Sequence, residues 1–199
     1  DLVLRVVAER TPQRGLDPLR DVQVLAPMHK GLAGVDELNA RLQLRLNPSS
    51  QSGPRVQRGG MWLTPGDKVM QTQNNYEKEV FNGDVGICLP DANGTPLAWF
   101  PGEGSIGTRA FHPAALPAHE SAFAMTVHKA QGSEFDEVWL QLPRADSRVL
   151  SRELVYTGLT RARSVLHVAG SAEVIAAALG RHAGRVSGLG WRLGSEGRR

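Results

Sequence analysis

The sequence predicts an α/β fold in which a parallel sheet, covered by helices on both faces, is interrupted by a small β-barrel. Two observations carry this prediction. In the first and last thirds of the chain, apolar runs of strand length alternate with amphipathic runs of helix length, which is typical of a parallel sheet. The middle third instead has several short strand patterns separated by turn residues, which is typical of a small barrel.

The composition is that of a globular domain without disulfides. The chain has 199 residues, and 41% of them are hydrophobic, which is enough to bury a core. A single cysteine, Cys88, excludes an internal disulfide framework and favours a reducing compartment. No apolar run has the length of a membrane span and no secretory signal is visible. We therefore expect a soluble, cytoplasmic protein with no membrane partner.

The net charge permits nucleic-acid binding without arguing for it. There are 23 Lys and Arg against 20 Asp and Glu, a net charge of +3. Nucleic-acid binding would be indicated by positive charge clustered on one face, and the net charge does not show this. The chain opens at Asp1 inside an apolar pattern and without a Met. This start predicts a fragment of a longer protein.

The first third predicts one strand and one helix after a short helical start. Residues 2–9 have the pattern of a helix end, and residues 11–20 that of a loop. Residues 21–28 form an apolar run that fits a buried parallel strand, and residues 34–46 carry apolar side chains at helical spacing. The Ser, Pro and Gly of residues 47–60 then indicate a linker.

The middle third changes to strand periodicity. The predicted strands are 67–72, 80–81, 85–89 and 96–100. Asn82-Gly83 and Asn93-Gly94 between them predict type I′ hairpin turns. We expect these strands to form an SH3-like barrel.

The α/β alternation resumes after a return linker at residues 113–117. The predicted elements are strand 122–126, a turn and short helix through Gln131, strand 137–142, helix 151–163, strand 165–170 and helix 172–179. The predicted domains are therefore residues 1–60 and 116–180 for the α/β domain, 61–115 for the barrel, and 181–199 for a flexible basic tail. The tail has five arginines among five glycines, and a solvated terminus explains it better than a DNA-binding arm.

Residues 126–135, TVHKAQGSEF, concentrate polar chemistry where a strand is predicted to end, which is where ligands collect in an open α/β sheet. Thr126 and His128 can donate hydrogen bonds to a phosphate group, and Lys129 can neutralise the charge of a phosphate. Gly132 permits close backbone approach, and the Glu134 carboxylate suits the hydroxyls of a ribose. The alternative is that Thr126 caps the helix and that the next residues form a solvated turn.

The predicted helix 151–163 ends in two arginines. Leu150, Leu154, Tyr156 and Leu159 are expected on its buried face, with Val155 as a further candidate. Interaction with the helix dipole suffices to explain Arg163. The permanent charge and forked geometry of Arg161 also suit a transferring phosphoryl group, which is the role of an arginine finger.

Taken together, these motifs resemble those of superfamily I helicases. TVHKAQGSEF and LVYTGLTRAR look like motifs V and VI, and DVQVLAPMHKG looks like the strand and turn of motif IV. GDKVMQTQNNYEKEVFNGDVG resembles the RecD-like members of the 5′-to-3′ branch. Four motifs in the right order make the resemblance specific, and it covers nearly all of the chain except the tail.

The resemblance implies the second RecA-like motor domain of an ATP-dependent 5′-to-3′ DNA helicase, with an SH3-like subdomain set into it. By motif position, Arg161 would be the catalytic finger, and Gln131, Gly132 and Glu134 would lie near ATP. Thr126, His128 and Lys129 would contact single-stranded DNA. Lys30 and Asn74 match less securely and are candidate phosphate contacts. Tyr76, Trp62 and Trp99 are candidates for stacking on bases, with core packing favoured for the tryptophans.

The chain has no G-x-x-x-x-G-K-[ST] loop for ATP phosphates and Mg²⁺. Of its two Asp-Glu pairs, Asp36-Glu37 is predicted in the first turn of a helix and Asp136-Glu137 before a strand, so we expect no metal site. In the resembled family, ATP and Mg²⁺ are bound mainly by an N-terminal motor domain. That domain, single-stranded DNA and a protein docked on the barrel are the expected partners. The alternative is a non-catalytic adaptor that keeps the fold.

Overall fold

The computed structural model describes residues 2–5, 7, 17, 19–48, 53–58, 61–102 and 107–183. Most of the tail predicted to be flexible lies outside the described residues. Among the helices within these ranges, none has the length and apolar character needed to cross a membrane.

The helices are α1 Leu2–Arg5, α2 Val35–Leu46, α3 Arg152–Leu159 and α4 Ala172–Gly180. The strands are β1 Val22–Ala26, β2 Val56–Arg58, β3 Met61–Leu63, β4 Lys68–Gln71, β5 Val85–Pro90, β6 Pro96–Pro101, β7 Thr108–Phe111, β8 His119–Ser121, β9 Ala124–Thr126, β10 Phe135–Gln141 and β11 Ala162–Ala169. A short 3₁₀ turn, Pro113–Ala115, stands where the return linker was predicted.

The parallel sheet has the order β11-β10-β1-β9 and confirms the predicted α/β class. All five residues of β1 are buried, and successive side chains enter opposite cores because strand side chains alternate between faces. Leu25 packs in a cluster with Leu154 of α3 and Val174 of α4. Val24 packs on the other face with Leu42 of α2. The predicted strand 21–28 and helix 34–46 are therefore both confirmed, with slightly narrower bounds.

The insertion is an antiparallel sheet of order β7-β6-β5-β4-β8, with β2 and β3 as a separate hairpin. Its own core contains Val69, Cys88 and Phe100. Within the described ranges, no backbone pairing joins β7 to β8, so the strand order is open at both ends. The predicted strands at 67–72, 85–89 and 96–100 are confirmed, whereas residue 80 forms only an isolated bridge with Asn75.

The predicted type I′ turns are wrong. That turn type needs positive φ at both central residues, yet among described residues other than glycine only Glu79 has positive φ, at 52°. Gly94 has φ of 81° and turns β5 into β6. Gly83 has φ of 97°, but it ends a longer excursion over residues 72–84 between β4 and β5.

Buried polar side chains lock the two sheets together. Lys68 of β4 is buried, and its Nζ donates to Oε1 of Gln23 in β1 at 2.9 Å. Removal from water lowers the pKa of Lys68 to about 8, although the carboxylates of Asp17 and Asp21 act in the opposite direction. Nδ2 of Asn39 in α2 donates to the backbone oxygen of Ser121 in β8 at 3.1 Å and to that of Ala124 in β9 at 2.9 Å, so this amide contacts both sheets. The insertion is thus held against the parallel sheet by specific hydrogen bonds.

Several predictions around the two polar motifs are wrong in detail. Residues 127–132 form consecutive turns instead of a short helix. Helix α3 ends at Leu159, because Arg161 lies in the following turn and Arg163 already belongs to β11. Tyr156 is 66% exposed and was wrongly placed on the buried face of α3, whereas Leu154 and Val155 are buried as expected. Asp136-Glu137 lies inside β10, not before it.

Candidate functional site

The turn after β9 is folded by its own hydrogen bonds at the carboxyl edge of the parallel sheet. Thr126 is buried; its Oγ1 accepts a hydrogen bond from the Lys129 amide at 3.3 Å, and its backbone oxygen accepts one from Ala130 at 3.1 Å. Gly132 has φ of 89°, a conformation that side-chain-bearing residues rarely adopt, and the space around it is open. The capping role considered for Thr126 is therefore present, within a turn instead of at a helix.

His128 and Gln131 are exposed on this turn and line a cleft of 530 Å³. Its opposite wall is formed by residues 82–84 of the insertion. Lys129 also lines the cleft, but its Nζ lies 2.5 and 2.6 Å from the two carboxylate oxygens of Glu120. The turn therefore presents an imidazole and an amide to solvent, while its ammonium charge is balanced within the chain.

Arg161 joins the two polar motifs through neutral acceptors. Its Nη1 donates to the Ser133 backbone oxygen at 3.2 Å, and its Nε donates to the Thr157 backbone oxygen at 3.1 Å. Its Nη2 donates to Oγ1 of Thr160 at 3.1 Å. In the part of the chain that the structure describes, no carboxylate pairs with this guanidinium. The guanidinium of Arg161 is thus held in one orientation, while no carboxylate of the described residues balances its positive charge.

Arg163 and Glu134 form an ion pair beside this arrangement. Nε of Arg163 lies 3.3 Å from Oε2 of Glu134, and both side chains are 58% exposed. An ion pair this exposed contributes about 0 to 1 kcal/mol. Glu134 therefore keeps a second carboxylate oxygen available at the surface, close to Ser133 and Arg161.

The remaining predicted contacts lie on two other segments. Lys30 follows β1, and its Nζ pairs with Asp36 at 2.9 Å, a contact that raises the pKa of Lys30. Asn74 and Tyr76 lie on the excursion over residues 72–84. Asn74 Oδ1 accepts from the Asn82 amide at 2.8 Å. These residues do not meet the turn after β9 directly, although residues 82–84 of the same excursion face it across the cleft.

The three aromatic candidates differ in exposure. Tyr76 is 77% exposed and packs edge to face on Phe81, with ring centroids 5.9 Å apart. Trp62 is 45% exposed, and the Arg55 guanidinium lies over its ring at 4.5 Å. Trp99 is half-buried in β6, so core packing describes it better than it describes Trp62.

Sequence reasoning missed the partners that orient the predicted side chains. Ser133 acts through its backbone oxygen, which no side-chain pattern reveals. Glu120, the partner of Lys129, lies nine residues earlier in β8 of the antiparallel sheet. Phe81, an aromatic next to Asn82-Gly83, was a visible signal for the ring pair with Tyr76. Within the described ranges, no three His, Cys, Asp or Glu side chains are grouped closely enough to hold a metal ion.

Two protein families match separate parts of the chain. Residues 38–96 match the family described as the ATP-dependent RecD-like DNA helicase SH3 domain, and residues 121–169 match the UvrD-like helicase C-terminal domain. These matches confirm the resemblance to RecD-like helicases that the motifs indicated.

Individual proteins are also similar to this chain. The ATP-dependent RecD2 DNA helicase of Deinococcus radiodurans is 43% identical over 81% of this chain and 22% of that protein. The RecBCD enzyme subunit RecD of Mycolicibacterium smegmatis is 37% identical over 96% of this chain and 32% of that protein. The chain thus spans about a fifth to a third of the length of these relatives. A crystal structure of Pif1 helicase from Candida albicans aligns with 88% of this chain and 53% of that chain, at 17% identity and a TM-score of 0.46.

Proposed function

We propose that this chain, similar over most of its length to RecD-like helicases, is the C-terminal motor portion of an ATP-dependent 5′-to-3′ DNA helicase. In this proposal it binds single-stranded DNA and supplies Arg161 to the γ-phosphate of ATP held mainly by an N-terminal motor domain. The polarity is carried over from the resemblance. We also propose that the parent protein acts in the cytoplasm on nucleoid DNA.

The observation that carries the proposal is the environment of Arg161. An arginine that stabilises a transferring phosphoryl group must be held in direction without losing its charge to a nearby carboxylate. Arg161 has this arrangement, because its three described hydrogen bonds go to two backbone oxygens and one hydroxyl. Arg163, by contrast, is paired with Glu134, which supports its role as surface charge.

The turn after β9 is proposed to serve both ligands. His128, with Thr126 and Lys129 beside it, would contact the DNA backbone from the exposed side of the turn. Gln131, Gly132 and Glu134 would face the nucleotide, where Glu134 can accept hydrogen bonds from ribose hydroxyls. The bond from Arg161 to Ser133 links these two sides mechanically, so a shift of Arg161 would move the DNA-contacting turn.

This chain provides only part of a binding site for ATP and Mg²⁺. The open space at Gly132 and the uncompensated charge of Arg161 suit a phosphate-bearing ligand. The sequence has no Walker A loop, so we assign the β- and γ-phosphates and the metal to the N-terminal motor domain. That domain and single-stranded DNA are the proposed partners, with the antiparallel sheet as a docking surface for a further protein.

The test is DNA-stimulated ATP hydrolysis by the full-length protein. Arg161→Ala is expected to lower kcat by about 10³-fold or more while changing the Kd for single-stranded DNA by less than about twofold. Arg161→Lys should remain strongly impaired, because an ammonium cannot reproduce the forked geometry. Arg148→Ala, an exposed arginine outside the site, is the control and should match the wild type.

Two results would contradict the proposal. Hydrolysis at the wild-type rate in Arg161→Ala would remove the finger assignment. A wild-type full-length protein that binds single-stranded DNA but never hydrolyses ATP would favour the alternative of a non-catalytic adaptor that keeps the helicase fold.

A further inference from the structure

A crevice of 400 Å³ lies at the carboxyl ends of two neighbouring parallel strands, β1 and β10. Its walls are formed by Met28 and residues 30–33 after β1, by Gln141 at the end of β10 with Pro143 and Arg144 after it, by Val3 and Leu4 of α1, and by Leu38 and Arg41 of α2. We call it the switch-point crevice. The chain leaves β1 toward β9 and leaves β10 toward β11, so the two connections diverge to opposite sides of the crevice. Open α/β sheets bind ligands at such a point of divergence.

Three cationic side chains line the switch-point crevice, but they differ in how their charges are balanced. Lys30 pairs with Asp36 at 2.9 Å, and Arg41 pairs with Glu37 at 3.4 Å. Arg144 is exposed, and within the described ranges it makes no ion pair or side-chain hydrogen bond. Its charge is therefore uncompensated, and the crevice favours an anionic ligand.

The position of the crevice indicates an extended anion instead of a compact one. Because β10, β1 and β9 are adjacent and parallel, the segments that follow them lie side by side along one edge. Neighbouring strands are about 4.8 Å apart, so the path from the end of β10 to the end of β9 covers about 10 Å. It runs from Arg144 past Lys30 to the turn that carries His128. A polyanion with regularly spaced charges can contact all three places, whereas a single phosphate can contact only one.

We propose that the switch-point crevice binds a backbone phosphate of single-stranded DNA and that Arg144 makes the direct contact. This inference rests on the proposed function, because it extends the DNA path beyond the turn after β9. Lys30, whose side chain is 92% exposed, can exchange Asp36 for the next phosphate along the strand with little rearrangement. The path then continues along the sheet edge to His128.

The test measures binding of a fluorescently labelled oligothymidine to the full-length protein by anisotropy at several salt concentrations. Each phosphate contact on a single strand contributes about 0.7 to the slope of log K against log salt. Arg144→Ala is expected to raise the Kd about fivefold at low salt and to reduce that slope by about 0.7. Arg144→Lys should keep the slope. Arg148→Ala removes an exposed arginine four residues along the same loop that does not line the crevice, and it should change neither quantity.

Each alternative outcome overturns the inference in a recognisable way. Equal weakening by Arg144→Ala and Arg148→Ala would show a general field of positive charge instead of a contact. An unchanged Kd and slope in Arg144→Ala, with normal wild-type binding, would remove the site and leave the proposed function standing. If Arg144→Ala weakens binding of ADP but not of oligothymidine, the crevice belongs to a nucleotide. No binding by the wild type would overturn the proposed function as well.

Discussion

Replacing Lys68 by Met removes an ammonium that is buried between the two sheets and is expected to change how stability depends on pH. The Nζ of Lys68 donates a hydrogen bond to Oε1 of Gln23, and no carboxylate of the described residues is in direct contact with it. Burial lowers its pKa from the ordinary 10.5 to about 8 in the folded state. Below pH 8 the folded state therefore carries the cost of a buried charge. Between pH 8 and 10.5 the unfolded state binds more protons, so stability must rise with pH.

The size of the effect follows from the two pKa values. From pH 7 to pH 9, the loss of the Lys68 proton in the folded state adds about 1 kcal/mol to the free energy of unfolding. Cys88 acts in the opposite direction, because burial raises the pKa of its thiol to about 12. Its stabilisation is complete below pH 9 and is lost as the pH rises from 9 to 12. At pH 9 that loss is only about 0.4 kcal/mol, so the net rise remains positive.

Urea unfolding at pH 7 and pH 9, followed by tryptophan fluorescence, measures this difference. The wild type should gain stability between the two pH values, whereas Lys68→Met should show a flat or slightly falling free energy of unfolding. Lys78→Met, on the excursion over residues 72–84, is the control and should keep the wild-type rise. The reasoning is refuted if Lys68→Met retains the full rise or if the wild type shows none.

Two further predictions concern the candidate site. Gly132→Ala should lower the free energy of unfolding by about 1 to 2 kcal/mol in a urea titration, because an alanine is strained at positive φ even where there is space for its side chain. Gly107 has the same open surroundings but no positive φ, so Gly107→Ala should change the free energy of unfolding little. The opposite ranking of the two variants would count against backbone strain at this turn. Tyr76→Ala should weaken oligothymidine binding by about 1 to 3 kcal/mol with no change in salt slope, since a stacked ring carries no charge. A changed slope, or no loss of affinity in anisotropy titrations, would exclude stacking by Tyr76.

The sequence predicted the parallel sheet well because its signal is local. The apolar run of β1 and the spacing of Val35, Leu38 and Leu42 in α2 require burial on defined faces, and the structure buries them there. Strands β2, β3, β7 and β8 escaped prediction because they have three or four residues each, too few to show a strand period, and all but β3 carry polar side chains. Such strands are specified by their neighbours in the sheet and not by their own pattern.

The candidate site was predictable in its residue types but not in its pairings. The motifs placed Thr126 and His128 at the edge where a parallel strand ends, and the structure puts them there, whereas Arg161 directly precedes β11 and lies beside the start of β10. The prediction of a helix over residues 151–163 was wrong at its end, because the spacing of apolar residues does not show that β11 begins at Ala162, directly after Arg161. The bond from Arg161 to Ser133 spans 28 residues and ends on a backbone oxygen, so only the fold reveals it.

The central claim is that Arg161 stabilises charge on a transferring phosphoryl group, and binding of a transition-state mimic tests it most directly. The measurement compares the affinity of the full-length protein for ADP with aluminium fluoride and for ADP alone, in the wild type and in Arg161→Ala. The account predicts that Arg161→Ala loses about 10³-fold of the affinity for the mimic and keeps its affinity for ADP. Equal affinity of both proteins for the mimic would contradict it.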